Sequence, residues 1–229
     1  MRRTSYVSDM MGLRESSLHR DLKSYYAYCH GGVIEQEVCG YKADVLVGRQ
    51  AYEIQTKGFY RIRPKIQRLL DGGYSVCVVY PIQAVLEVRL PLGRTRKLRR
   101  RFSPIRAFEE LVYIAALLPH GRVSIEILKL HEKGERSRRN RARNTRLVAV
   151  LGRWMIRGPS DLASLLPPDL PSPFTTADIA EKAGIGKNLA DKVAYTLRVS
   201  GLARKIGSRN RFVLYELFSP ALYSHPPRG

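Results

Sequence analysis

Asp44 and Glu53 are two carboxylates nine positions apart in the segment Tyr41-Lys-Ala-Asp-Val-Leu-Val-Gly-Arg-Gln-Ala-Tyr-Glu-Ile-Gln-Thr-Lys57. Apolar and β-branched residues flank Gly48-Arg49, a tight-turn pair with glycine first, so the segment reads as a β-hairpin whose returning strand covers 51 to 57. A two-residue turn sets Asp44 directly opposite Glu53. A four-residue loop makes them diagonal neighbours, and a three-residue loop separates them unless a bulge intervenes. Strand side chains alternate, which gives Glu53, Gln55 and Lys57 one polar face and Val45, Val47, Tyr52 and Ile54 the buried one. Two converging carboxylates suit Mg²⁺, which takes a few such ligands and fills its octahedron with water and phosphate oxygens. An ion held there polarises a phosphodiester and activates water. The plain alternative is a solvated hairpin face.

The surrounding elements must position this pair. Leu13, Leu18, Leu22, Tyr25 and Tyr26 recur at helical spacing and predict a helix over 13 to 28, stopped by His30-Gly-Gly32. Strands are expected over 33 to 40 and 41 to 47. A helix follows over 60 to 71, with Ile62, Ile66, Leu69 and Leu70 apolar, Arg61, Arg63, Lys65 and Arg68 basic, and Pro64 in its first turn. Tyr74 to Tyr80 is nearly all apolar, as in a strand covered on both faces. Val85 to Leu90 alternates like an edge strand. Beyond it a helix is expected over 107 to 118, a strand over 122 to 131, and an apolar helix over 147 to 157 with Trp154 as a core anchor. The order is that of an α/β core.

The 229 residues, 44% of them hydrophobic, suffice for one large or two small globular domains. Forty Lys and Arg against 20 Asp and Glu give a formal charge of +20, and nucleic acid is the first candidate partner. Two basic runs stand out: Arg94 to Arg101, with Arg96, Arg99, Arg100 and Arg101, and Lys133 to Arg146, with Arg136, Arg138, Arg139, Arg141 and Arg143. Each is either a solvated face or a set of phosphate contacts whose strength falls as salt rises. No apolar run of membrane-spanning length occurs, and a soluble, cytoplasmic protein without a membrane partner is expected, nucleoid-associated when bound to DNA. Cys29, Cys39 and Cys77 lack metal or redox spacing and read as small core hydrophobes; the five histidines show no zinc pattern. RNA binding has support in charge alone, because the aromatic residues show no stacking signature.

Leu165 to Pro173 is proline-rich and reads as a linker. After it, Thr-capped residues 174 to 185 form a helix ended by Gly184, Lys187 to Val199 form a second, and Lys205 to Tyr215 a hairpin with a basic tip. This order resembles the winged helix-turn-helix family over residues 173 to 217. The resemblance implies a second helix in the major groove offering Lys187, Asn188, Lys192, Tyr195, Thr196 and Arg198, with Arg209 and Arg211 on the wing near phosphate. Asp191 and Glu181 weaken that face, and winged helices also mediate protein contacts.

Asp44 followed by Glu53-x-Gln55 in an α/β core resembles the PD-(D/E)XK nuclease superfamily in its E-x-Q form, with Ala43 where proline is usual. Glu15, His19 and Lys23 fall at successive i+4 positions on one helix face and look like the E…H…K helix of competence-associated nucleases of that superfamily. The resemblance covers residues 14 to 90. It implies a restriction-endonuclease-like mixed sheet and a Mg²⁺ or Mn²⁺ ion held by Asp44, Glu53 and the carbonyl of Ile54, with Glu15 acting directly or through water. Gln55 stands in the usual lysine position; an amide orients water but brings no positive charge, which Lys57, Lys23 or Lys65 would have to supply. His19 reads more readily as a buried hydrogen-bonding residue than as a base, and Glu15 equally as a helix-initiating acid. The expected organisation is a nuclease-like domain over 1–146, connecting helices and linker over 147–172, a winged helix over 173–218 and a flexible tail over 219–229. The expected activity is metal-dependent hydrolysis of double-stranded DNA. A non-catalytic DNA-binding protein on the same fold is the alternative, and a homodimer stays open.

Overall fold

The computed structural model describes residues 15–90, 93–135 and 145–218. Leu13, the arginines of 136–143 and the tail expected over 219–229 lie outside the described residues.

Helix α1 (Ser17–His30) starts at Ser16, whose side chain accepts from the His19 N–H, and ends at Gly31 in the left-handed region that glycine adopts without strain. Strands β1 (Val33–Val38), β2 (Tyr41–Val47) and β3 (Gln50–Ile54) follow. The register Val45 to Tyr52 and Val47 to Gln50 leaves Gly48-Arg49 as a two-residue turn, with Gly48 at φ 55°. Continued by one residue, it sets Asp44 across from Glu53. The expected strand to residue 57 is corrected, because β3 ends at Ile54. Gln55 N–H still donates to Val79 O at 2.9 Å, after which the left-handed Gly58 turns the chain into α2 (Phe59–Asp71). Pro64 sits inside α2 and not in its first turn: burial of Phe59 starts the helix early, and the proline forfeits one main-chain bond there.

Strand β4 runs unbroken from Ser75 to Arg89, so Val85 to Leu90 is no separate edge strand. The basic run instead folds back as β5 (Thr95–Arg99), antiparallel to Val85–Arg89. Strand β6 (Val123–Glu135) runs parallel to β4 along nearly its whole length. Strand β5 must therefore lie on the side of β4 that β3 occupies earlier. The expected helix over 107 to 118 is also corrected. A 3-10 turn (Pro104–Ala107), a single α turn α3 (Phe108–Leu111) and a second 3-10 stretch (Ala115–His120) take its place. Buried Ile105, Phe108, Leu111, Ile114 and Leu117 recur every three residues, the period of the tighter helix.

The largest correction is at 147 to 157, where β7 (Thr145–Ile156) pairs antiparallel with β6. Bulges opposite Lys129/Leu130 and His131/Glu132 shift the register, so Leu147 and Val150 pack on one face of the sheet and Trp154 on the other. Those shifts imitate helical spacing. Trp154 remains a packing residue, stacked on Phe102. Among the described residues the sheet has seven strands in the order β1-β2-β3-β4-β6-β7, with β5 beside β4; β3, β4 and β6 are parallel and the other pairings antiparallel. This is a mixed α/β fold. Helix α1 covers one face through Leu18, Leu22 and Tyr26, packed on Val45, Ile54, Cys77 and Val79. Helix α2 and the α3 segment cover the other, and Val76 to Tyr80 is buried on both sides as expected.

Helices α4 (Thr176–Ala183) and α5 (Lys187–Val199) form next, α4 opened by a reciprocal Thr175–Asp178 capping box and closed by left-handed Gly184. Strands β8 (Ala203–Arg209) and β9 (Phe212–Leu217) pair around Asn210-Arg211, both at positive φ as a two-residue hairpin turn needs. The proline-rich stretch is not a free linker: Leu166 and Leu170 pack on the core. Phe174, Ile179, Leu189, Val193 and Leu197 belong to the same buried cluster as Phe108 and Leu111. Cys77 is buried as expected and Cys39 half-buried, but Cys29 is exposed.

Candidate active site

Glu53 is buried on the α2 side of β3, with only 3% of its surface exposed, so the hairpin face is not solvated. Its Oε2 contacts the Lys65 ammonium of α2, which also donates to the Lys42 carbonyl at 2.6 Å. Its Oε1 is buried without a well-formed hydrogen-bond partner. Burial raises the Glu53 carboxyl, the Lys65 charge opposes the rise and the Asp44 charge adds to it, leaving the group at about 7.

Asp44 leans toward α1 instead. Its Oδ2 accepts from Ile54 N–H at 2.8 Å and lies 3.0 Å from His19 Nε2, while Oδ1 is 3.5 Å from Lys23 Nζ. Burial would raise this carboxyl, but the hydrogen bond and charge of His19, the Ile54 N–H and Lys65 together hold it below its ordinary value. The i+4 spacing on α1 does bring its three residues together: Glu15 Oε1 is 3.2 Å from His19 Nδ1 and 2.6 Å from Lys23 Nζ. Lys23, 7% exposed, also meets Glu35 at 2.8 Å; burial lowers its pKa, yet Glu15, Glu35 and Asp44 overcome that and lift it to about 12.

The two carboxylates thus titrate apart, one held ionised and the other poised near neutrality, as paired acids and bases require. Between pH 5 and 8 the raised Glu53 carboxyl costs stability, because the folded state keeps a proton that the unfolded chain releases above about 4.5. Wild-type stability is expected to fall by about 2 to 3 kcal/mol more than that of Glu53→Gln over this range. Urea unfolding of both chains at the two pH values checks this; parallel pH dependences would contradict it.

Gln55 and Lys57 do not join the site. The Gln55 amide donates to Lys57 O at 2.5 Å, which ties it into its own turn, and the Lys57 side chain is exposed. Lys65, expected only as an alternative, is the cation in contact with Glu53. Glu35, absent from the expected set, is drawn in by a left-handed kink at φ 56° that places its carboxylate between Lys23 and Lys42. No sequence signal marks that kink. Among the described residues no three His, Cys, Asp or Glu side chains form a metal-ligating group. The donors nevertheless fit Mg²⁺ in kind, since that ion needs only one or two carboxylates beside water and phosphate oxygens, and Glu53 Oε1 makes no well-formed hydrogen bond although the Asp44 N–H lies near the carboxyl.

The basic residues divide. Arg100 N–H donates to Ala84 O at 2.8 Å on β4, five residues beyond the Val79 carbonyl that holds Gln55. The exposed Arg96, Arg99, Arg100 and Arg101 therefore share a sheet edge with the end of β3, roughly 16 Å further along at the strand rise. On α5, Lys187, Asn188, Tyr195 and Arg198 are exposed, but Thr196 is fully buried and unable to meet a base edge. Asn188 and Lys192 border a cleft toward Arg106 and Glu109 of the α3 segment, which covers part of the expected reading face. Lys187 pairs with Asp191 at 2.7 Å and Arg209 with Asp178, while Arg211 is exposed at the hairpin tip.

A mixed α/β sheet with Asp44 on β2, facing α1, and Glu53 on β3, facing α2, is the setting in which the comparisons fall. Residues 16–154 match the family model described as "Domain of unknown function (DUF8091)", over half of the chain, and the chain belongs to that family. The match takes in Asp44, Glu53 and Lys65 and ends inside β7. The chain is 29% identical over 229 aligned residues to an "Uncharacterized protein" of Treponema pallidum (strain Nichols), covering 93% of this chain and 90% of the relative. No solved structure matches. Among the described residues, no helix is long and apolar enough to cross a membrane.

Proposed function

We propose that this protein is a metal-dependent nuclease of the PD-(D/E)XK kind acting on DNA, with Asp44, Glu53 and Lys65 at its centre. The observation that carries the reading is the buried Glu53 carboxylate in contact with Lys65, one strand away from an Asp44 held ionised. Asp44, Glu53 and the Ile54 carbonyl would hold Mg²⁺ or Mn²⁺, which when bound polarises the phosphate and acidifies a water. Lys65 presents positive charge to the phosphate from the α2 side. Lys23 and His19 fix the Asp44 carboxylate and tie Glu15 to it from the α1 side. The arginines of β5 grip the backbone on the same sheet edge, a contact that positions DNA without reading sequence. Helices α4 and α5 with the β8–β9 hairpin act as a winged helix, offering Lys187, Arg198 and Arg211 to duplex phosphates.

Supercoiled plasmid tests this. Nicking or linearisation is expected with Mg²⁺ or Mn²⁺, none with EDTA, and a loss of at least about 10³-fold in Asp44→Ala, which removes a ligand carboxylate outright. Cleavage indifferent to that substitution would sink the site. The second reading, a DNA-binding protein without turnover, is favoured by one observation: Glu15, Asp44 and Glu53 each meet a lysine and do not converge as three ligands. Retained DNA binding with no cleavage under any metal would establish it.

A further inference from the structure

Three tyrosines far apart in the chain are exposed on neighbouring segments of the protein. Tyr60 in α2, Tyr113 after α3 and Tyr195 in α5 are 53%, 41% and 48% exposed. The Tyr60 and Tyr113 rings lie 5.6 Å apart, edge to face, and the Arg61 guanidinium sits 5.4 Å over the Tyr60 ring. Val112, the residue before Tyr113, faces Tyr195 across an open groove that Lys187 and Lys192 also line. Arg198 lies 5.4 Å over the Tyr195 ring. The one carboxylate lining this groove, Asp191, is neutralised by Lys187.

Exposed rings carrying guanidinium groups, with ammonium groups between them, match the chemistry of an unpaired strand. Each unpaired base offers a flat face for stacking while its phosphates meet the cations. A duplex hides those faces within its own stack, so it gains the charge contacts alone. The platform also begins where the candidate site ends: Tyr60 follows Phe59, whose N–H is held at 2.9 Å by Glu110 of α3 directly after the turn that leads out of β3.

We infer that this surface binds the unpaired bases of single-stranded DNA. The inference deepens the nuclease reading, on which it rests for the fate of the DNA, by making the substrate a duplex with a single-stranded stretch such as an overhang or flap. Binding is measured by fluorescence anisotropy in EDTA at about 0.15 M salt, so that no cleavage step enters. The probes are a labelled DNA strand of roughly 20 nucleotides, its blunt duplex, and the RNA of the same sequence. The single DNA strand is expected to bind more tightly than the duplex. Tyr60→Ala and Tyr113→Ala are each expected to weaken it about tenfold, with Tyr60→Phe and Tyr113→Phe retaining the affinity because the ring stacks without its hydroxyl. Unchanged single-strand affinity in the alanine variants, an equal loss on duplex, or a preference for RNA would overturn the inference. If plasmid cleavage is present while the tyrosine variants bind normally, this inference alone fails; if they bind as expected while wild type cleaves nothing, the nuclease reading alone fails.

Discussion

Lys65→Ala is expected to lower metal-dependent DNA cleavage by about 10² to 10³-fold, while Lys57→Ala leaves it nearly unchanged. That range is the usual cost of removing one preorganised donor that stabilises developing charge. Lys65 meets the requirement of preorganisation: its side chain is 15% exposed, and its ammonium is fixed between Glu53 and the Lys42 carbonyl. Lys57 is solvated beyond the end of β3, where its charge is screened and its position unconstrained. Plasmid cleavage rates for both variants, at equal fold integrity by circular dichroism, decide between them. A larger loss from Lys57→Ala would move the charge back to the turn after β3. Because Lys65 opposes the rise in the Glu53 carboxyl, its removal should also shift the cleavage profile of any residual activity to higher pH.

The hairpin was legible because turn chemistry and period-two alternation are local. Gly48 and the apolar alternation on either side mark the hairpin but leave its loop at two, three or four residues, and the Val47–Gln50 pairing selects two. The i+4 face of Glu15, His19 and Lys23 was legible for the same reason, as were helix α4 with its Thr175 cap and the helix α5 that follows it. What decides which side chains meet around Glu53 was not local. That β3 stops at Ile54, so that Gln55 and Lys57 leave the site, depends on Phe59 being drawn into the core and on Glu110 holding its N–H. That Lys65 replaces them depends on how α2 crosses over the sheet. The error at β7 has a similar origin, since two bulges give a strand the hydrophobic spacing of a helix and only pairing with β6 reveals it. The tyrosine surface escaped the sequence altogether, because Tyr60 and Tyr113 meet only through tertiary packing.

A chain ending at residue 172 is expected to lose cooperative folding. The proline-rich composition of 165 to 173 suggests a linker between independent domains, but burial says otherwise: the apolar residues of α4 and α5 continue the cluster formed by Ile105, Phe108, Leu111 and Leu118. Helix α5 packs on α3 and on the Ala115–His120 stretch. Removing it exposes several large apolar side chains, at a cost of about 1.5–3 kcal/mol each, against a total stability of about 5–15 kcal/mol for an ordinary domain. The α3 segment is short and held mainly by that burial, so it is expected to unravel. It takes with it Glu110, the partner of the Phe59 N–H, and so loosens the start of α2, the helix that carries Lys65. Thermal melting followed by far-ultraviolet circular dichroism should show a broad transition or none for the truncated chain. A sharp transition within a few degrees of the full chain would instead establish two independently folding units.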